Sequence, residues 1–233
     1  MKADCRAFAS ALVTMIALLP TARANDVPKN FPRVDLRDAA SAFVVARVSG
    51  GATLPPLDEC TKDNVVCLHE PFWFHADVRE TLVGDAVPAD TNVSTLSHYG
   101  LQSFLRRSPW RLLILKSVGD QVVMPINRWM PLVERSDGEL FLIDDGGDWP
   151  SFLPCGMPGL LEPLGDAAFM PDPVVARDGQ THEFSFDVTE HPQAWRIEGD
   201  RALPRAGVRV TRLRTLLREL AARHEPTDCR RPD

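Results

Sequence analysis

"FWFHADVRETLVGD", Phe72 to Asp85, decides the fold class. From Phe74 onward its side chains alternate, with Phe74, Ala76, Val78, Glu80 and Leu82 on one side and His75, Asp77, Arg79 and Thr81 on the other. Successive side chains of an extended strand point to opposite faces, so this pattern predicts a strand buried on one face. Working outward, SAFVVARVSGG (Ser41 to Gly51) is β-branched, apolar and stopped by two glycines, a second strand. TNVSTLSHYG (Thr91 to Gly100) reads as a shorter strand, and LQSFLRRSP (Leu101 to Pro109) as a single helical turn. In WRLLILKSVGDQVVMPINRW (Trp110 to Trp129) two apolar runs flank Gly119-Asp120, which predicts a β-hairpin. A second hairpin turns at Ser136-Asp137-Gly138, between Leu132–Arg135 and Glu139–Ile143.

Beyond the hairpins, Gly156 to Asp178 is rich in proline and glycine and reads as a surface wrap, while His182 to Val188 alternates again. The last periodic segment runs from Gly207 to His224. Thr211 is its expected N-cap, and Leu213, Leu216, Leu217 and Leu220 fall on one helical face. Short strands joined by turns and closed by one helix predict a mainly β fold: a small antiparallel OB-like barrel with a C-terminal α-helix. Residues 41–143 form the barrel core, 25–40 an N-terminal arm, and 144–233 the wrap, extra strand and helix of the same domain.

MKADCRAFASALVTMIALLPTARA, residues 1–24, has a signal peptide's layout: Lys2 and Arg6, an apolar stretch from Ala7 to Leu19, then Ala22-Arg23-Ala24. Cleavage after Ala24 is expected, and a soluble, exported protein (periplasmic or secreted) follows. Export changes how the cysteines are read. Cys60, Cys67, Cys155 and Cys229 remain, an even set in a compartment that permits disulfides, which allows three connectivities. The favoured pairing is Cys60–Cys67 as a local loop and Cys155–Cys229 as a tie from tail to body. Zinc is disfavoured because no C-x-x-C pair exists.

The chain is formally −6. Removing the basic leader leaves about −8, which repels phosphate backbones, so nucleic acid is not an expected partner. A monomer without stable membrane insertion is expected.

The order FVVARV, WFHADVRETLVGD, NVSTLSHYG and WRLLILKSV-GD-QVVMPI resembles the netrin/tissue-inhibitor-of-metalloproteinases type of OB barrel over about residues 41–143. In that family the second strand ends in a V-x-x-x-(L)-x-G step like Val78 to Gly84. The resemblance implies the barrel. The metalloproteinase inhibitors of that family place a cysteine at the mature N-terminus to chelate the target's zinc; here the mature chain begins Asn25-Asp26-Val27, so that wedge does not carry over.

Three constellations carry chemistry. IDDGGDWP (Ile143 to Pro150) offers Asp144, Asp145 and Asp148 as oxygen donors, so Ca²⁺ is the one ion worth considering and no other cofactor is expected. The spacing departs from the EF-hand loop, and Asp and Gly equally suit a plain turn at a strand exit. His75 and Asp77 share a strand face and, with Ser94 or Ser97 on the next strand, would compose a hydrolytic arrangement. Polar residues on one face are more often the wet side of a sheet. Trp73, Trp129 and Trp149 are candidate recognition plates. Arginines opposite the last helix's leucines read as a solvated face. No G-x-S-x-G, H-E-x-x-H or phosphate-binding glycine loop occurs. The expected function is a non-catalytic binding or inhibitor-like module acting on a protein partner. The alternatives are a small secreted hydrolase using His75 and Asp77, or a calcium-assisted ligand binder.

Overall fold

The computed structural model of the chain describes residues 26–32, 41–61, 67–98, 100–105, 108–143, 153–154, 157–165, 168–169, 174–177, 180–181, 194–198 and 201–225. Five strands close a barrel: β1 (Ser41–Thr53), β2 (Glu70–Val83), β3 (Asp90–Ser97), β4 (Trp110–Val118) and β5 (Gln121–Met124). They run in the order β1-β2-β3-β5-β4, and β1 pairs back to β4. β3 and β5 are parallel, and the other pairs are antiparallel. Helix α1 (Gly100–Leu105) falls between β3 and β4. The fold is the mainly β, OB-like barrel with a C-terminal helix that the alternation predicts. The barrel itself closes at Met124, short of the Ile143 boundary drawn from sequence.

Why β1 and β4 are apolar throughout becomes plain from their two faces. Ala42, Val44, Ala46 and Val48 point into the barrel with Phe72, Phe74, Val93, Leu113 and Leu115. Phe43 and Val45, with Leu112 and Ile114, point outward into a second core. A short continuous apolar run is what a strand buried on both sides requires. α1 plugs the barrel, where the Phe104 ring meets Phe72 at 5.4 Å, Phe74 at 4.7 Å and Trp129 at 5.3 Å. Arg111 is fully buried, its guanidinium 3.9 Å over Phe104 and 4.5 Å over Trp129. It donates to the carbonyls of Ser108 and Phe104, satisfying an acceptor that the end of α1 leaves open.

The outer layer begins with β6 (Trp129–Arg135) and β7 (Leu140–Ile143), the second predicted hairpin. Next along the chain come β8 (Leu161–Pro163), β9 (Ala168–Phe169), β10 (Val174–Arg177), β11 (Gln180–Thr181), β12 (Trp195–Glu198), β13 (Arg201–Pro204) and β14 (Ala206–Arg209). The main sheet continues β4-β6-β7-β14-β8, with β9 on β6, while β10 to β13 form a separate four-stranded sheet. Helix α2 (Val210–Ala222) follows β14 directly and buries Leu213 and Leu217 in the second core.

β2 alternates only as far as Val78. Pairing with β1 jumps from Val78 to Glu80 and again from Thr81 to Val83, so Arg79 and Leu82 are extra residues at two β-bulges. A bulge inserts one residue and so exchanges the faces beyond it. Glu80 therefore stands on the side of His75 and Asp77, and Leu82 joins the second core. This corrects the expectation that Glu80 and Leu82 share a face with Phe74. The strand ends at Gly84, where φ is +94° and a Cβ would lie 2.3 Å from the Ser41 carbonyl oxygen. Glycine is required there by both conformation and space.

Cys60 and Cys67 form the expected disulfide, Cα–Cα 5.6 Å, closing the β1–β2 loop. Cys155 and Cys229, the segment His182 to Val188 and the leader 1–24 lie outside the described residues. Among the described residues, no helix is long and apolar enough to cross a membrane.

Candidate functional site

Register places chemistry on the outer face of β1, β2 and β3. On β2, Phe72, Phe74 and Ala76 fill the barrel, so Trp73, His75 and Asp77 are turned out. Cross-strand neighbours on one face of an antiparallel pair stand directly opposite each other. One row reads Trp110, Arg47, Asp77, Asp90 across β4, β1, β2 and β3. The next reads Ser49, His75, Asn92, and a third Ala52, Trp73, Ser94. Between the first two rows lies a cleft of about 420 Å³, lined by Arg47, Ser49, His75, Asp77, Asp90 and Pro109.

His75 is the hub. Its Nδ1 lies 3.4 Å from the Asn92 Oδ1 and 3.5 Å from the Asp90 Oδ1, so two oxygen acceptors flank one ring nitrogen. The carboxylate that engages His75 belongs to Asp90 on the neighbouring strand, whereas Asp77 two residues along β2 faces Arg47 and Asp90 in register. Among the described residues no hydroxyl hydrogen-bonds to His75, and Arg47 forms no ion pair. Ser94 is fully buried, its Oγ has no hydrogen-bond partner among the described residues, and it stands opposite Trp73 rather than His75. Ser97 stands opposite Glu70, farther still along β3. Among the described residues the histidine and carboxylates lack the hydroxyl-to-imidazole hydrogen bond that acyl transfer uses, while the Ser49 hydroxyl lines the same cleft opposite His75.

The other predicted sites divide. Trp73 is half-buried one row from His75 on the same face. Trp129 is committed to the barrel plug against Phe104 and Arg111. Asp144, Asp145, Asp148 and Trp149 lie outside the described residues. Among the described residues no group of three or more His, Cys, Asp or Glu side chains could hold a metal ion.

The arginines near α2, expected as a solvated face, are partly docked. Arg209 meets Glu162 at 3.0 Å and Glu139 at 3.3 Å. Arg214 reaches Glu80 at 3.4 Å, and Arg218 donates to the Leu82 carbonyl at 3.3 Å. Each exposed pair contributes about 1 kcal/mol or less, so these contacts orient the helix more than they hold it. Arg212 stays exposed.

Arg47, Ser49, Asp90 and Asn92 escape a reading of the sequence because each is unremarkable on its own strand. Only the pairing of β1 with β2 and β2 with β3 gathers them, and the strand stop expected at Gly50-Gly51 does not occur, because β1 runs on past an irregularity at Gly50 to Thr53. No protein-family model, curated protein or solved structure matches the chain.

Proposed function

We propose that the chain is an exported, non-catalytic binding module, inhibitor-like in its mode, which engages a protein partner through the cleft on β1, β2 and β3. The observation that carries this reading is the His75 cleft, a polar concavity of about 420 Å³ on the face of strands where OB barrels receive ligands. Its volume falls in the range of specific pockets, roughly 300–1,000 Å³. Among the described residues His75 makes no hydrogen bond to a hydroxyl, Ser49 opposite it included, and this favours binding over hydrolysis. A formal charge of −6 favours a protein surface over a phosphate backbone. Export rests on the leader pattern and accords with the Cys60–Cys67 bridge. The netrin-type likeness, in strand order and Gly84, points the same way, toward a barrel that works by docking without a zinc-chelating N-terminus.

The test is competitive blockade of the cleft. Ser49 is exposed and stands opposite His75, so Ser49→Trp fills the cleft and leaves the cores untouched. The mature chain and an Arg212→Glu control on exposed α2 surface are expected to retain the same partner from periplasmic extract. Ser49→Trp is expected to lose it with an unchanged melting temperature. Equal capture by Ser49→Trp removes the cleft from the docking face. Turnover of an ester, peptide or glycan that His75→Ala abolishes would replace binding with hydrolysis.

A further inference from the structure

Resting on the cleft as the docking face, we infer that the partner engages it by strand addition, an extended segment of its chain lying along the open edge of β1 from Val48 to Thr53. β4 accompanies β1 only as far as its own first residue, where Trp110 pairs with Arg47. Beyond that pair Val48 donates to the Pro109 carbonyl at 2.7 Å. Proline has no N–H to return, so β4 leaves the Val48 carbonyl unanswered. β1 then runs on to Thr53 with β2 on one side, and among the described residues no strand pairs with it on the other. Ser49 to Thr53 are exposed at every position. In an antiparallel ladder alternate residues bond to the partner strand. Leu54 donates to the Pro71 carbonyl at 2.8 Å, so Ala52 and Leu54 turn their backbone groups to β2, while Gly51 and Thr53 turn theirs to the open side. A row of amides and carbonyls at strand spacing complements one kind of occupant, another extended backbone. Folded proteins blunt such edges with lysine, proline or an inward-pointing charge. The stretch S-G-G-A-T carries none of these, and its one irregularity, at Gly50, precedes the regular part. The edge is continuous with the cleft, since Val48, Ser49 and Pro109 belong to the cleft wall. A partner side chain set beside Ala52 extends the row Ala52, Trp73, where an apolar group fits best.

The experiment is an NMR titration of the mature chain with the peptide acetyl-KVTVTK-amide. The control is the same peptide N-methylated at its four central residues, which keeps side chains and charge and removes the backbone donors. The unmodified peptide is expected to shift the Gly51 and Thr53 amides and slow their hydrogen exchange, with affinity on the order of millimolar. The methylated peptide is expected to bind at least tenfold more weakly. Thr53→Pro removes an N–H on an edge strand, where proline is tolerated, and is expected to lose the peptide. Thr53→Ala gives up only the hydroxyl bond to Glu70 and is expected to keep it. Should Thr53→Pro fail to fold, the methylated peptide still reads the same contact. Equal binding of the two peptides overturns strand addition, and so does the absence of shifts at Gly51 and Thr53. Dimerisation in sedimentation that Thr53→Pro abolishes makes the occupant a second copy of this chain and overturns the assignment to a partner. In the capture assay Thr53→Pro is expected to lose the partner that Thr53→Ala retains. If Ser49→Trp loses it while Thr53→Pro keeps it, the docking face stands and only strand addition falls. If Ser49→Trp captures normally, the docking reading itself falls.

Discussion

Arg135 and Asp137 stand two residues apart across the β6–β7 turn, yet they form the tightest charged contact described. Arg135 Nε lies 3.0 Å from each carboxylate oxygen of Asp137, and the Glu139 amide donates to Oδ1 at 3.2 Å. Hydrogen bonding from Arg135 holds the Asp137 carboxyl down at about 2. A depressed carboxylate pKa stabilises the folded state above the unfolded value near 3.9, and that contribution disappears as pH falls through about 2. The window of loss therefore lies between about pH 4 and pH 2. The pair is exposed to solvent, so salt weakens the effect. Arg135→Ala is expected to raise the Asp137 titration midpoint toward the ordinary carboxylate range, read from side-chain carboxyl resonances against pH. A midpoint unmoved by that substitution would show that the turn amides hold the charge instead.

At the scale of elements, α2 illustrates how tertiary packing overrides a local signal. Thr211 is the expected N-cap, but the cap lies two residues earlier at Arg209, which makes no side-chain cap, and the helix starts at Val210. Arg209 ends β14 and is bound to Glu162 and Glu139, so strand passes straight into helix. What holds α2 is its buried stripe: Leu213 and Leu217 are fully enclosed in the second core. Leu217→Ala is expected to cost about 2–5 kcal/mol, with the urea dependence otherwise unchanged. A loss under about 1 kcal/mol would mean that the helix is loosely docked and the site can collapse. The leucine periodicity, both hairpins and the alternation of β2 up to Val78 were all legible along the chain, because each depends on neighbours within a few residues. The bulges at Arg79 and Leu82 were not, since an inserted residue is defined only against the partner strand. The same limit applies to the cleft. His75 and Asp77 reveal themselves by spacing on β2, whereas Asp90 and Arg47 become their companions only through register.

On the scale of the whole molecule, the barrel and the outer layer are built around common strands rather than set side by side. β1 and β4 send alternate side chains into the two cores, so neither core is complete without the other's wall. Dissection of the gene meets this directly. A chain stopped at Met124 keeps all five barrel strands but turns Phe43, Val45, Leu112 and Ile114, buried in the longer chain, out to water as a contiguous greasy panel. Such a fragment is expected to elute from a sizing column as soluble aggregate, with light scattering well above the monomer mass. A monodisperse, folded fragment of monomer mass would reveal an autonomous barrel wearing a dispensable coat. The smallest piece able to stand alone is therefore longer than the smallest piece that closes.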